Sequence, residues 1–265
     1  MAHLLKNPSV SALRVGVWFI AVGLFITPLV LVVSLALGGN QIPTLLEQGL
    51  SIATWNSLFT TALSALAAVI IGTVIAIAID RTDIYGSSVL RLFLLSPLLV
   101  PPFIGAIAWT QLFGPNQGLN RLIGFELWNI YGADGVIALM TIHSFPTAYV
   151  IISSGLRSIS PDFELAARVS GASVITVLRT VTLPLLRPAL LSAFTLTAIA
   201  NLADFGIPAI IGSPARFETL ATMIYRFIDS GTVSNPLQVV STIGVVLLFL
   251  GIGAVIMDYL TLSLI

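Results

Sequence analysis

The chain has 265 residues, 57% of them hydrophobic and only 8% charged, with acidic and basic side chains in equal number. A soluble domain carries about 25% charged residues, so this composition excludes a water-solvated globule, and the zero net charge gives no electrostatic basis for a nucleic-acid partner. Cysteine is absent and histidine occurs only at His3 and His143, which excludes disulfide frameworks, thiolate metal sites, cysteine nucleophiles and histidine-rich metal clusters.

Six apolar runs follow one another, at 15–37, 57–79, 92–113, 135–156, 188–212 and 237–260. Each is near the ~20 residues needed to cross ~30 Å of hydrocarbon, and within lipid each must be a helix because no water is there to satisfy the backbone. The expected fold is therefore all-α: a polytopic membrane helix bundle of about six transmembrane helices, organised as a single transmembrane domain over 1–265, with lipid as its solvent. Lys6 and Arg14 precede the first run as they would in a signal peptide. That run is nevertheless 23 residues long and lacks a small-residue cleavage site, so it is expected to be retained.

The first connection, 38–56, opens on Gly38-Gly39-Asn40 and ends near Trp55; the third run then carries Pro97, Pro101 and Pro102 beside Gly105. Proline removes a backbone donor and kinks a helix. It persists in a membrane where neighbours or a water-filled path re-satisfy the freed carbonyls, which makes Pro101 and Pro102 candidate pathway residues. The connection at 114–134 holds Trp128 and Tyr131, suited to the headgroup level. The fourth run carries Pro146. The fifth is interrupted at Gly206 and Pro208 just after Asp204, a carboxylate expected to lie on a pathway, at an interface or as a helix cap, since an isolated charge in lipid costs at least ~2.5 kcal/mol. Residues 217–228 read as a short helix on the outer side.

Loop charges set the orientation. With the N-terminus inside, Lys6, Arg14, Arg81, Arg91, Arg157, Arg168, Arg179 and Arg187 are cytoplasmic, against Arg121, Arg216 and Arg226 outside, a positive-inside bias.

The connection at 157–187 is unlike the others. Ser160 is a good N-cap, with Pro161 at the first helical position and Asp162 and Glu164 in the first turn, where the helix dipole favours acids. Gly171 is the expected stop. Ser173 can cap a second stretch, 174–181, with Val174, Val177, Leu178 and Val181 at helical spacing, expected to end at Leu183-Pro184. Two short helices meeting at a glycine form an elbow suited to a soluble partner; the alternative on these residues is an interfacial linker without one.

The same loop resembles that of the membrane subunits of binding-protein-dependent ABC importers, which reads Glu-Ala-Ala, three residues, Gly, nine residues, Ile-x-Leu-Pro. Here Ala166-Ala167 is followed at the same spacing by Gly171 and by Val181-Thr182-Leu183-Pro184. Leu165 occupies the position of the acid, and Glu164 stands one residue earlier, turned about 100° around the helix. A salt bridge made by the family's glutamate is therefore not expected to transfer. A second stretch, Ala203-Asp204-Phe205-Gly206-Ile207-Pro208-Ala209-Ile210-Ile211-Gly212 with Phe217-Glu218-Thr219-Leu220-Ala221-Thr222 and Ile224-Tyr225, resembles the ferric-iron subgroup, whose relatives move thiamine, 2-aminoethylphosphonate, polyamines or sulfate.

What the resemblance implies is a type I permease-like bundle in the bacterial inner membrane. It would dock cytoplasmic ATPase subunits through Glu164, Ala166, Ala167, Gly171, Leu183 and Pro184, pair with a second permease half and receive cargo, ferric iron first, from an extracytoplasmic binding protein. ATP and Mg would be bound by the partner ATPase, since no Gly-x-x-x-x-Gly-Lys-Ser/Thr occurs in this chain, and the chain itself would carry no cofactor, metal or catalytic residue. The single loop, and the lack of Lys or Arg over 261–265, lead to the expectation that the chain is one half of a fused permease. A different class, an ion-coupled secondary transporter, would need intramembrane ionisable residues, for which Asp204 and His143 are the candidates.

Overall fold

The computed structural model describes residues 8–231 and 233–263, with side chains from Arg14 onward, so that His3, Lys6 and Ile265 lie outside the described residues. The described elements are all helical. In chain order α1 (Pro8–Ala21) continues through a π turn (Val22–Ile26) into α2 (Thr27–Leu37), followed by α3 (Ile42–Glu47), α4 (Leu50–Arg81), α5 (Ser87–Leu95), α6 (Pro102–Phe113), α7 (Gly118–Ile123) and α8 (Ala133–Ser158). Then come α9 (Pro161–Val169), α10 (Val174–Val177), α11 (Leu183–Leu202), α12 (Leu220–Asp229) and α13 (Pro236–Ser263). Five helical stretches are long and apolar enough to cross a membrane, and a bent pair, Ser87–Leu99 with Pro102–Ile123, makes up to six. The chain is a multi-pass membrane protein.

Two of the six apolar runs are not single straight helices. The third breaks between a 3-10 turn (Ser96–Leu99) and α6, and the two arms diverge by 99°. The residue before a proline is pushed out of the helical region, and here this happens twice: Val100 before Pro101 has φ −103°, ψ 122°, and Pro101 before Pro102 has φ −55°, ψ 138°. The fifth run ends as a helix at Leu202 rather than at 212. Ala203–Phe205 leave the helix, and the chain re-enters a π turn at Pro208–Gly212. By contrast α8 remains helical through Pro146.

The described chain divides into two compact units. One comprises residues up to Leu50 together with Ile224–Leu248. Within it Gln41 donates to the Gln238 side-chain oxygen (3.4 Å) and the Arg226 guanidinium donates to the Gln48 carbonyl (3.0 Å).

The other unit, Ser51–Met223 with Phe249–Ile265, holds the sites discussed below. Its main core joins α4, α8 and α11 through Ala68, Ala76, Ala148, Ile152, Leu156, Leu186 and Ala193, all buried. Alanines lie among larger side chains there because lipid gives no hydrophobic drive between helices, so association depends in part on close backbone approach. Gly72 is pressed against α8: a Cβ there would come within 2.8 Å of the Tyr149 backbone nitrogen. Gly155 is pressed in the same way against Ala189 of α11. A second core beneath the 114–134 connection gathers Ala106, Ile130, Val136, Leu139, Met140, Ile207 and Ile211, with Trp128 packed edge-on against Phe113 (5.4 Å between ring centres).

Gly72→Ala should therefore lower the apparent melting temperature of the purified protein, at a cost of about 1–3 kcal/mol from overpacking. Gly251→Ala, at a position with open space around it, should not. Fluorescence-detected thermal unfolding of the two variants checks the contrast.

Candidate functional site

The loop between α8 and α11 folds as two capped helices with a defined joint. The Ser160 hydroxyl accepts from the Asp162 amide and caps α9. At the other end Gly171 has φ +91°, and its amide bonds the Arg168 carbonyl while the Ala172 amide bonds the Ala167 carbonyl. This pair of bonds is the Schellman closure that a left-handed glycine permits. Nothing in the chain lies within 4 Å of where a Gly171 Cβ would be, so the demand for glycine is a backbone one. Ser173 caps α10 by accepting from the Thr176 amide.

Leu183-Pro184 does not end the second helix, as the sequence pattern leads one to expect. A π turn over Leu178–Thr182 carries α10 directly into α11: the Leu183 amide bonds the Leu178 carbonyl five residues back. Pro184 therefore lies inside one continuous helical stretch, Val174–Leu202, where the local π adjustment accommodates the donor that proline lacks. The loop is thus rigidly continuous with the fifth span. Ala166, Leu165, Val169, Val174 and Ile175 are exposed, while Ala167 is half-buried.

Glu164 is the element sequence reasoning undervalued. Its carboxylate accepts from Arg81 Nε (3.1 Å) and from the Thr182 hydroxyl (2.9 Å), and the same guanidinium donates to the Leu156 and Ile159 carbonyls (2.9 and 3.4 Å). The one-residue displacement therefore does not cost the loop its ion pair. It turns the acid inward, onto the ends of α4 and α8 and onto the π turn. Beside it, Asp80, with 3% of its side chain exposed, accepts from Arg91 (2.7 Å) and Arg157 (3.1 Å) and from the Ser153 hydroxyl. Asp80 and Arg91 stand eleven residues apart at the end of α4 and within α5, and the fold pairs them.

Two pockets lie beside α8. The lower is lined by Arg91 and Leu95 of α5 and by Val150, Ser154 and Arg157 of α8. The upper, a cavity of about 300 Å³, is lined by His143 and Thr147 of α8 with Leu98, Pro102, Thr197, Asn201 and Asp204. Pro101 is not among the lining residues; it is exposed at the break. Asp204 is half-buried, and its Oδ1 accepts from the Gly206 amide (2.8 Å), capping the segment beyond it. Gly206 lies against Phe103, where a Cβ would come within 2.9 Å. Behind the cavity Ser144 donates to Asn201 Oδ1 (2.6 Å) and Asn201 Nδ2 donates to the Ser64 hydroxyl (2.8 Å). This buried chain ties α8, α11 and α4 together. Its sequence trace is no more than isolated Ser and Asn in apolar runs.

Among the described residues no group of three or more His, Cys, Asp or Glu side chains is placed to hold a metal. The family profile described as binding-protein-dependent transport system inner membrane component matches residues 83–263. The chain belongs to that family. It is 27% identical over 227 residues to the ferric transport system permease protein FbpB of Actinobacillus pleuropneumoniae, covering 83% of this chain and 32% of that protein. The chain thus spans about a third of the length of that relative. Over 185 residues it is 31% identical to the putrescine transport system permease protein PotI of Escherichia coli K12, covering 68% of this chain and 62% of PotI. In fold it is similar to a chain of a bacterial alginate ABC transporter crystallised with its alginate-bound periplasmic protein (TM-score 0.76, 16% identity, 94% of this chain and 91% of that one).

The Arg81–Glu164–Thr182 tie yields a quantitative expectation. Glu164→Ala leaves the part-buried Arg81 guanidinium without its carboxylate and should cost about 1–3 kcal/mol. Thr182→Val should cost less, because Arg81 keeps its ion pair. Limited proteolysis within 157–187 should accelerate in the Glu164 variant, and unchanged cleavage would contradict the tie.

Proposed function

We propose that this chain is the transmembrane subunit of an ATP-driven importer of the bacterial inner membrane, forming half of the substrate pathway and docking a cytoplasmic ATPase through its 157–187 loop. The observation that carries this reading is the loop itself. It is a doubly capped elbow with exposed apolar residues at its surface, fused without a break to the fifth span and tied by Glu164 to the ends of two others. An elbow held in this way transmits a push; a flexible linker would absorb it. Ala166, Ala167 and Gly171 form the contact face and joint. Leu183 and Pro184 carry the movement into α11.

Family membership supports the rest of the assembly in this reading. ATP and Mg belong to the partner ATPase, a second permease half closes the pathway, and an extracytoplasmic binding protein delivers cargo, with the N-terminus of this chain in the cytoplasm as its loop charges favour. ATP binding draws two ATPases together, the two loops move as levers, and the pathway changes the side to which it opens. The upper cavity borders the path in this half. It presents the Asp204 carboxylate and His143 with no Lys or Arg among its lining residues. That lining suits a cation and supports ferric iron, the cargo implied by the resemblance at 203–225, with a polyamine such as putrescine as the second reading and thiamine, 2-aminoethylphosphonate or sulfate as the remaining alternatives. Membership of this family sets the ion-coupled secondary transporter aside.

Gly171→Val should insert normally, because the cost of a Cβ in the left-handed conformation is only about 1–2 kcal/mol, yet weaken co-purification of the ATPase or uncouple hydrolysis from transport. Normal uptake with the ATPase bound would contradict the lever. Asp204→Asn should leave ATPase docking intact and reduce cation uptake, measured with radioactive ferric iron and putrescine in parallel; undiminished uptake of both would remove the carboxylate from the path.

A further inference from the structure

Three walls meet at the upper cavity: His143 and Ser144 of α8, Thr197, Ala200 and Asn201 of α11, and Asp204 just beyond α11. Asp204 and His143 are the titratable groups among its lining residues. On the α11 wall, Ala200 has no polar side chain, and Thr197 satisfies its hydroxyl on the Ala193 and Phe194 carbonyls of its own helix (2.7 and 3.0 Å). Asn201, 7% exposed, instead bonds across to two other spans.

The partners of that amide fix its orientation. The Ser64 hydroxyl donates to the Thr61 carbonyl (3.2 Å), so towards Asn201 it accepts, and Nδ2 is the atom that faces it (2.8 Å). Oδ1 is left to accept from Ser144 (2.6 Å). The space that Asn201 and Asp204 share with Ser57, Thr60 and Thr61 of α4 is too tight for a water molecule, so on that side no solvent competes with Ser64.

Asn201 stands in the last turn of α11, and helix ends fray. Its carbonyl accepts from the Asp204 amide (3.2 Å), so the turn that presents the carboxylate starts from the anchored residue. At the other wall the anchor is Ser144, next in sequence to His143. Interhelical hydrogen bonds add only modestly to stability in a membrane; the consequence of these two is positional. We propose that Asn201 is a positioning residue: through Ser144 and Ser64 it fixes the Asp204 carboxylate relative to His143, and so sets the geometry that the cavity offers to a cation. This rests on the reading of the cavity as the border of a cation path, and the test separates the two.

His143 is one of two histidines in the chain, so in a His3→Gln background its imidazole is a single reporter at the cavity. Carbon-13 NMR of labelled histidine in the full chain in detergent would follow its titration in the parent, Asp204→Asn, Asn201→Ala and the double variant. The midpoint should be displaced by Asp204→Asn and, in the same sense, by Asn201→Ala. The double variant should show no more displacement than Asp204→Asn alone, because residues that act through one contact are not additive. Ser144→Ala, which removes one anchor and keeps the Ser64 bond, should give a smaller displacement in the same sense, and it covers the case in which Asn201→Ala does not fold. Additive displacements, or a midpoint that neither Asn201→Ala nor Ser144→Ala moves, overturn the proposal. In the assembled transporter, Asn201→Ala should raise KM for ferric iron or putrescine about tenfold, the scale of one weakened contact to a charged group. The maximal rate and ATPase co-purification should be unchanged, with no further rise in KM when it is added to Asp204→Asn. A non-additive His143 response in a chain whose assembled wild-type transporter takes up neither cation would support the positioning role and overturn the cation reading.

Discussion

Inside hydrocarbon a backbone amide or carbonyl without a partner costs several kcal/mol, and the second, larger unit of this chain is organised around the places where its spans break that rule and then repair it. At the Val100–Pro101 break Pro101 and Pro102 bring no donor, and the Val100 amide bonds the Pro97 carbonyl (3.3 Å). At Pro184 the repair is a π turn that carries the helix through the proline. At Ala203–Phe205 the repair is a side chain, Asp204, which accepts from the Gly206 amide (2.8 Å). These segments border the upper cavity or belong to the 157–187 elbow.

Charge is handled by a related economy. At the end of α4, two consecutive residues serve as hubs: Asp80 gathers Arg91, Arg157 and Ser153, and Arg81 gathers Glu164 with two helix-terminal carbonyls. Part-buried pairs of this kind add little net stability over an apolar alternative, but breaking one partner is costly. Their structural consequence is positional. They fix the ends of α4, α5 and α8 and the loop helix α9 to one another.

The two pockets beside α8 differ in charge. A carboxylate, Asp204, and an imidazole, His143, stand at the upper one, and two arginines with one shared counter-charge stand at the lower. Of these groups α8 supplies His143 and Arg157, about four turns apart; α4, α5 and the chain beyond α11 supply the rest.

Much of this was legible in the linear chain. Apolar run length fixes the number of crossings because the bilayer has a set thickness, and cap residues fix the elbow because Ser160, Gly171 and Ser173 act on amides within a few residues of themselves. The Pro101-Pro102 pair fixes the break in the third span for the same local reason, whereas Pro146 and Pro188 sit inside helical α8 and α11. The tertiary structure alone decided what depends on distant partners. The register of Glu164 against Arg81 and Thr182, the enclosure of Asp80 by two arginines, and the Ser144–Asn201–Ser64 chain join residues on different spans, and no periodicity within one span encodes which face meets which neighbour. The continuity of α10 with α11 was hidden for a subtler reason: proline reads as a terminator until the backbone shows that a π turn over Leu178–Thr182 carries the helix through Pro184.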